Sequence, residues 1–177
     1  MVANAGIGIL CKTVDMSLTD WRRQTAVNLD GVFLSVKYAV PAMRGAGGGS
    51  IIIMSSVAGL RGSAGLAGYC ATKGGVRLFA KAVAMECAAA GDGIRVGPSG
   101  GHRHADLDQV TSLLREHNAP IDPNEVAKAG VPLRRAGQAQ DIANGVLFLA
   151  SAASSYMTSG ELVIDRGTTG GARPRWS

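Results

Sequence analysis

The stretch Ser50-Ile-Ile-Ile-Met-Ser-Ser56 is a short, almost wholly apolar run that follows a cluster of glycines at 45 and 47–49. Such a run is typical of a strand buried on both faces, as in a parallel sheet. Its last serine ends the strand just before a loop rich in glycine and alanine, 57–68. Ligands of parallel α/β sheets bind at the carboxyl ends of the strands, so this end of the strand is a candidate functional position.

Helical patterns flank this strand on both sides. Ser17 and Asp20 form an N-terminal capping signal for a long helix over 21–43, with Asn28 in its middle. A second long helix is predicted from about Tyr69 to Ala90 and ends at Gly91. One stripe of this helix is apolar: Val76, Phe79, Val83 and Cys87.

The remaining elements continue the alternation. Strands are predicted over 2–6, 94–96 and 161–165, and an amphipathic helix over 141–150. Strands that alternate with helices predict an α/β fold with a parallel sheet. The 177 residues, 46% hydrophobic and 18% charged, indicate one globular domain over 1–177 and exclude a disordered or fibrous chain.

Charge and hydropathy argue against two classes of partner. The net charge of +5 is spread over the chain, and its densest basic cluster, Arg166, Arg173 and Arg175, has only Trp176 as an aromatic neighbour. We therefore expect no nucleic-acid partner. No apolar run approaches the ~20 residues of a membrane span and no signal sequence follows Met1, so we expect no membrane partner and a cytoplasmic location.

The metal-ligating residue types do not form a convincing site. Cys11, Cys70 and Cys87 are odd in number and form no C-x-x-C pair, which favours reduced thiols. His102 and His104, with His117 nearby, lack a firm fourth ligand, so no metal is predicted.

Tyr69 and Lys73 are four residues apart at the start of the second long helix, so their side chains project from one face. A free phenol titrates near pH 10, and a nearby ammonium lowers that pKa by favouring the phenolate. The pair is therefore a candidate acid/base, although Tyr-x-x-x-Lys alone is a weak signal. Ser56, at the strand end, would place a hydroxyl where a substrate carbonyl meets both groups.

Several segments together carry a resemblance to a known family. They are Asn4-Ala-Gly6, Asn28, Ser55-Ser56-Val-Ala-Gly59, Tyr69-Cys-Ala-Thr-Lys73, 134–137, 141–143, 146–151 and 159–165. In this order and spacing the chain resembles the short-chain dehydrogenase/reductase family of NAD(P)-dependent enzymes. The resemblance implies a Rossmann-type, doubly wound parallel sheet and hydride transfer between a secondary alcohol and a ketone, both small molecules.

The resemblance also implies roles for individual residues. Ser56 would polarise the substrate carbonyl, and Tyr69 would pass the proton. Lys73 would lower the pKa of Tyr69 and hold the nicotinamide ribose, and Asn28 would fix a water in the proton relay. Asn4, Ala5 and Gly6 would lie against the cofactor, although Ala3 stands where the family usually has a second Asn.

The family's first strands and helices, with the glycine-rich turn that binds pyrophosphate, have no counterpart here, since no G-x-G-x-x-G opens a helix after a strand. We therefore expect a partial domain with impaired dinucleotide binding, and the residue that chooses NAD or NADP is missing.

The alternative function is a non-catalytic remnant or interaction module. Hydrolase chemistry at Ser56 or Cys70 lacks an activating His or Asp. A homo-oligomer, a dimer or tetramer formed through the two long helices, is expected by resemblance.

Residues 97–108, Gly97-Pro-Ser-Gly-Gly-His-Arg-His-Ala-Asp-Leu-Asp108, fit no element well and depart from the family. With suitable synonymous codons, the same nucleotides read one base later give Val-His-Pro-Gly-Gly-Ile-Ala-Thr-Pro-Ile-Trp, which resembles the family's segment. We hypothesise that residues 97 to about 108 are translated out of frame. The following segment, 109–132, is apolar enough to cover a hydrophobic alcohol, ketone or steroid.

Overall fold

A parallel sheet organises the chain. The computed structural model describes residues 1–101 and 131–171. Within these residues four parallel strands lie in the spatial order β1-β2-β3-β4. They are β1 (Val2–Ala3), β2 (Gly49–Met54), β3 (Ile94–Gly101) and β4 (Leu162–Ile164). The predicted α/β class and parallel sheet are confirmed.

In the described part of the chain, four α-helices connect or cover the strands: α1 (Leu18–Thr25), α2 (Gly31–Gly45), α3 (Ala67–Ala90) and α4 (Ala139–Ala150). A π-helical turn, Ala26–Asp30, joins α1 to α2, so the single long helix predicted over 21–43 is interrupted at Asn28. Ser17 caps α1 as expected, its Oγ accepting a hydrogen bond of 3.0 Å from the Asp20 amide. No helix in the described ranges is long and apolar enough to cross a membrane.

The strand β2 is buried on both faces, because its side chains alternate between two apolar layers. Ile51 and Ile53 face the layer built by α2 and α3, where Val76 and Ala80 of α3 are buried in the same cluster. Ile52 and Met54 face the opposite layer, where Leu149 of α4 packs against them. Helices therefore cover both faces of the sheet, which is the doubly wound arrangement expected from the sequence.

The helix α3 packs along the first layer through the predicted stripe, with Val76, Val83 and Cys87 buried and Phe79 partly buried. It begins two residues earlier than predicted, at Ala67, and ends at Ala90 as predicted. Gly91 caps it with a φ of 64°, the left-handed conformation that glycine tolerates. The ring of Phe79 meets Phe33 of α2 edge-on, with 6.5 Å between the ring centroids. These contacts hold α3 against the sheet and against α2.

The strand β3 corrects one expectation. The segment from Gly97 onwards was expected to fit no element, yet the strand continues to Gly101 and includes the buried Pro98, paired with Ile53. Proline and glycine weaken a central strand, so the local sequence predicts against it. Pairing with β2 on one side and β4 on the other overrides that preference. The out-of-frame hypothesis is untouched by this finding, and residues 102–108 lie outside the described ranges.

Candidate active site

The carboxyl end of β2 is where the predicted site residues gather. Ser55 and Ser56 follow the last strand residue, Met54, and both are buried. The Ser55 amide donates a hydrogen bond of 2.8 Å to the carbonyl of Ser99 in β3. The Ser56 Oγ accepts a bond of 3.2 Å from the Ala58 amide and thereby caps the short 3-10 turn that follows. The two serines thus mark the end of the sheet and the beginning of the loop towards α3.

Tyr69 and Lys73 lie in the first two turns of α3, and both side chains are buried. The Lys73 Nζ lies 5.7 Å from the centroid of the Tyr69 ring. The same Nζ donates a hydrogen bond of 2.9 Å to the carbonyl of Met54. The ammonium therefore lies near the Tyr69 ring on the helix and is bonded to the end of β2. The four-residue spacing had predicted only that the two side chains share one helix face.

The first turns of α3 approach β2 very closely because of Ser55 and Gly59. The Ser55 Oγ donates a hydrogen bond of 2.9 Å to the carbonyl of Lys73. A Cβ at Gly59 would lie 2.6 Å from that same carbonyl oxygen and 2.6 Å from the Ser55 Oγ, which is too close for any side chain. Glycine at position 59 is therefore required by the packing of the loop on α3.

Asn28 is fully buried at the centre of the π-helical turn. Its Oδ1 accepts a hydrogen bond of 2.9 Å from the Ile7 amide, and its Nδ2 donates to the Ile7 carbonyl at 2.8 Å and to the Thr72 Oγ1 at 2.9 Å. Thr72 in turn donates to the Tyr69 carbonyl at 2.9 Å. Asn28 thus ties the loop after β1 to the turn of α3 that carries Tyr69 and Lys73. Turns of the π type occur often at functional positions.

The loop after β1 carries the three residues that the resemblance assigns to the cofactor. Asn4, Ala5 and Gly6 are exposed at the carboxyl end of β1. A Cβ at Gly6 would lie 3.1 Å from the Lys73 Nζ and 3.4 Å from the Asn28 Oδ1. Gly6, Asn28 and Lys73 therefore adjoin one another, which joins the candidate cofactor residues to the candidate catalytic ones.

The position of Ser56 follows from its short distance along the chain from the end of β2. It is two residues beyond Met54, so its Cα lies within about 7 Å of the Met54 Cα. The carbonyl of Met54 holds Lys73, and the turn that Ser56 caps packs against α3. Ser56 therefore occupies the same edge of the sheet as the Tyr69–Lys73 pair.

Three residues of this region were not singled out from the sequence: Ser55, Thr72 and Gln24. Ser55 and Thr72 belong to the motifs that carry the family resemblance. In the sequence, only their position next to Ser56 and Lys73 indicated a role in the site. Gln24 is one helical turn before Asn28, is fully buried, and accepts a hydrogen bond of 3.0 Å from the Ile9 amide. A polar residue at an interior helical position was the signal that could have identified Gln24.

The cysteines and histidines considered in the sequence analysis are not part of this candidate site. Cys11 and Cys70 are half-buried free thiols and Cys87 is a buried one. Among residues 1–101 and 131–171, no group of three or more His, Cys, Asp or Glu side chains could hold a metal ion. His102, His104 and His117 lie outside those ranges, as does nearly all of the segment 109–132.

The fold and the arrangement of Ser56, Tyr69 and Lys73 define a Rossmann-type α/β protein with a buried phenol–ammonium pair at the carboxyl edge of its sheet. A family model described as enoyl-(acyl carrier protein) reductase matches residues 1–169. The chain belongs to the short-chain dehydrogenase/reductase family.

Similar proteins of known name are dehydrogenases. The 3-alpha-(or 20-beta)-hydroxysteroid dehydrogenase of Mycobacterium bovis is 38% identical over 171 residues, which are 97% of this chain and 60% of that protein. The cyclohexanol dehydrogenase of an Acinetobacter strain is 39% identical over 163 residues, 92% of this chain and 60% of that protein. The chain thus spans about three fifths of the length of these relatives.

A solved structure shows the same fold. The gluconate 5-dehydrogenase of Burkholderia cenocepacia, in complex with NADP and tartrate, superposes with a TM-score of 0.81 at 30% identity. The match covers 97% of this chain and 64% of that one. The common fold over nearly all of this chain supports the Rossmann-type assignment made from the sequence.

Proposed function

We propose that this chain carries the proton-transfer centre of an NAD(P)-dependent oxidoreductase that interconverts secondary alcohols and ketones. One observation carries the proposal: the buried ammonium of Lys73 lies beside the Tyr69 ring and is held on the carbonyl of Met54 at the end of β2. A buried charge is costly unless the fold gives it partners. A cation fixed next to a phenol favours the phenolate form, which an acid/base catalyst needs near neutral pH.

Each residue of the edge has a distinct part in this proposal. Tyr69 donates a proton to the developing alkoxide in the reductive direction and accepts it in the oxidative direction. Ser56 holds the substrate oxygen through its hydroxyl, which also orients that oxygen towards Tyr69. Asn28 is a positioning residue in this structure, because its hydrogen bonds reach Ile7 and Thr72. We also propose that Asn28 orders a water in the relay to Lys73.

The residues after β1 fit a dinucleotide. Asn4, Ala5 and Gly6 are small and exposed, and Gly6 leaves open the space beside Lys73 that a Cβ would occupy. These three residues, with Tyr69 and Lys73, would hold the nicotinamide half of NAD or NADP. When bound, the dinucleotide supplies or accepts the hydride. The chain's own residues supply or accept the proton.

The substrate class follows from the relatives. Two of them are named for hydroxysteroids and for cyclohexanol, which are secondary alcohols with an alicyclic skeleton. We propose that this chain takes a small-molecule alcohol or ketone of the same apolar, cyclic type. The apolar residues of the segment 109–132, which the sequence analysis expects to cover the substrate, agree with an apolar substrate.

The test has two steps, both on the 177-residue chain. First, NADH and NADPH are titrated and binding is measured by calorimetry; saturable binding supports the proposal. If neither dinucleotide binds, the chain is instead the non-catalytic remnant or interaction module. Second, cyclohexanone reduction is followed with the Tyr69→Phe and Tyr156→Phe variants.

Removing an acid/base group costs about 100-fold or more in kcat, so Tyr69→Phe should lose almost all activity. Tyr156 is fully exposed and serves as the matched control, with no expected change. If Tyr69→Phe retains the wild-type rate, Tyr69 is not the proton donor. The circular dichroism spectrum of each variant shows whether the fold is intact.

We further propose that the chain forms a homo-oligomer through its long helices. Large apolar side chains are exposed on α2 (Phe33, Leu34 and Tyr38) and on α3 (Leu78 and Met85). Exposed apolar patches mark interaction surfaces. Light scattering coupled to size-exclusion chromatography should show a dimer or tetramer, and the Phe33→Glu variant should shift the mass towards a monomer.

A further inference from the structure

Two buried side-chain amides, those of Gln24 and Asn28, connect the loop after β1 with α3. Both side chains are fully buried, and the two residues are four positions apart. The Asn28 amide is bonded to Ile7 in the loop and to Thr72 in α3. We call these contacts the Asn28 bridge. The Gln24 amide contacts the loop two residues further along and α3 one turn earlier, as described next.

The Gln24 Oε1 accepts a hydrogen bond of 3.0 Å from the Ile9 amide. On the helix side, a Cβ at Gly68 would lie 2.9 Å from the Gln24 Nε2, so the end of this side chain lies against the first turn of α3. The Nε2 also faces the Met16 Sδ at 4.0 Å, and a thioether is a weak acceptor. The contacts of Gln24 with Ile9 and Gly68 form a second bridge, the Gln24 bridge, in which the bond to Ile9 is the firm one.

The two bridges meet α3 on opposite sides of Tyr69. The Asn28 bridge reaches the helix beside Lys73, whose ammonium adjoins the loop residues assigned to the cofactor. The Gln24 bridge reaches the helix at Gly68, directly before Tyr69 and away from Lys73. The Gln24 bridge therefore lies on the side of Tyr69 that the candidate cofactor residues leave free for a substrate.

The loop held at Ile9 also meets the loop that follows Ser56. The Cys11 amide donates a hydrogen bond of 2.8 Å to the Gly65 carbonyl. A Cβ at Gly65 would lie 2.9 Å from the Leu10 Cδ1, so the Leu10 side chain lies against this second loop. Leu10 is nevertheless 40% exposed, and Ile9 is half-buried. The junction of the two loops is therefore apolar and accessible.

The acceptor at position 24 keeps this junction in place. An apolar side chain of the same size would fill the same space but could not accept the bond from the Ile9 amide. Since the loop is partly exposed, an amide that has lost its acceptor can turn to water, and the loop then moves away from the helix. The amide group of Gln24 thus determines where the loop lies.

We propose that Gln24 is a positioning residue for the alcohol or ketone. It holds the apolar junction at Ile9 and Leu10 against the first turn of α3 and so sets the space that the ring of the substrate occupies beside Tyr69. This inference rests on the proposed function and deepens it, because it assigns the Gln24 bridge to the substrate. A loop that is ordered before binding lowers the cost of binding, so losing the bond should weaken substrate binding and leave proton transfer unchanged.

The test follows cyclohexanone reduction by the wild-type chain and the Gln24→Met variant, with the dinucleotide that binds more tightly. Methionine nearly conserves the length and volume of glutamine without its amide, so the fold should survive. The KM for cyclohexanone should rise about tenfold, while kcat at saturation and the Kd of the dinucleotide change less than about twofold. Gln140→Met, on the exposed surface of α4, is the matched control and should leave all three values unchanged.

A second variant approaches the same contact from the helix. Gly68→Ala places a Cβ 2.9 Å from the Gln24 Nε2, so it should displace this amide and raise the same KM, although alanine itself favours the helix. Hydrogen exchange at the Ile9 amide should accelerate in both variants. Exchange at the Ile7 amide, which Asn28 holds, should not change. Circular dichroism spectra show whether each variant is folded.

The outcomes separate this inference from the proposed function. An unchanged KM in Gln24→Met, a fall in kcat like that of Tyr69→Phe, or a loss of dinucleotide affinity as large as the rise in KM would overturn the role of Gln24 and leave the proposed function intact. If the wild-type chain reduces no cyclohexanone with either dinucleotide, the proposed function itself fails, and the role of Gln24 fails with it.

Discussion

The Lys73 Nζ donates a hydrogen bond of 2.9 Å to the main-chain carbonyl of Met54. This bond joins the second turn of α3 to the last residue of β2, so the ammonium sits at a position that both elements determine. Ser55 and Gly59 reinforce the same junction from the loop side. The stability of the junction and the geometry of the candidate site are therefore coupled.

Gly59→Ala should destabilise the fold. The new Cβ would lie 2.6 Å from the Lys73 carbonyl oxygen, and a helix carbonyl cannot move away without shifting α3. Overpacking of this kind costs about 2 kcal/mol of unfolding free energy. Gly62→Ala is the control, since a Cβ there meets nothing within 4 Å, and its change should stay within about 0.5 kcal/mol. Urea denaturation measures both, and equal effects would show that the close approach at Gly59 is absent.

Ser55→Ala removes the hydrogen bond to the Lys73 carbonyl. Since both groups are buried, we expect a loss of about 1 kcal/mol in unfolding free energy. Ser35→Ala is the matched control: its Oγ donates to the Gly31 carbonyl at 2.7 Å on an exposed helix surface, where water replaces the bond. Thermal unfolding of the two variants compares them. A Ser35 variant as unstable as the Ser55 variant would contradict this account.

Asn28→Ala leaves the amide and carbonyl of Ile7 and the Thr72 hydroxyl without their partner. We expect a loss of about 2 kcal/mol, because the amide and carbonyl of Ile7 each lose a partner at about 1 kcal/mol, while the Thr72 hydroxyl keeps its hydrogen bond to the Tyr69 carbonyl. Asn144→Ala breaks one exposed side-chain bond, to Gln140, and should cost less than about 0.5 kcal/mol. Chemical denaturation gives both values. Hydrogen exchange at the Ile7 amide should accelerate only in the Asn28 variant.

Glu161 should contribute to stability in a pH-dependent way. Hydrogen bonding from Arg77, opposed by burial and aided by the charges of Arg77 and Lys81, lowers the pKa of this carboxyl. The folded protein therefore keeps Glu161 ionised to a lower pH than the unfolded chain does. Its contribution is complete at neutral pH and is lost as the pH falls below about 4.

Glu161→Gln should accordingly be less stable than the wild type at pH 7, with a difference that shrinks as the pH falls below about 4. Denaturation at a series of pH values measures this difference. Glu86→Gln, on the exposed side of α3, serves as the control for the loss of a surface carboxylate. A Glu161 difference that is constant with pH would show that the ion pair does not act through this titration.

The coding DNA tests the hypothesis about residues 97–108. We expect codons that give Val-His-Pro-Gly-Gly-Ile-Ala-Thr-Pro-Ile-Trp, or a closely related peptide, when translation is shifted by one base. Sequencing the gene across this segment gives the answer directly. Codons that are incompatible with that shifted peptide would remove the hypothesis.

The sequence by itself determined the alternation of elements. The apolar run at 50–54 is typical of a strand buried on both faces, and the stripe through Val76 and Val83 has the spacing of a helix. Both assignments depend only on the local pattern of apolar residues. The Tyr69–Lys73 spacing likewise fixed that both side chains share one helix face. The motifs around Asn28 and Ser56 predicted the family to which the chain belongs.

Only the tertiary structure decided how these pieces meet. The continuation of β3 through Pro98 depends on its two neighbouring strands, which no local propensity encodes. The π-helical turn at Asn28 and the partners of Asn28 depend on residues 21 and 44 positions away in the chain. The contacts of Gln24 combine the loop after β1 with the first turn of α3. These features arise from long-range packing and hydrogen bonding, whose energies become available only when distant segments are brought together.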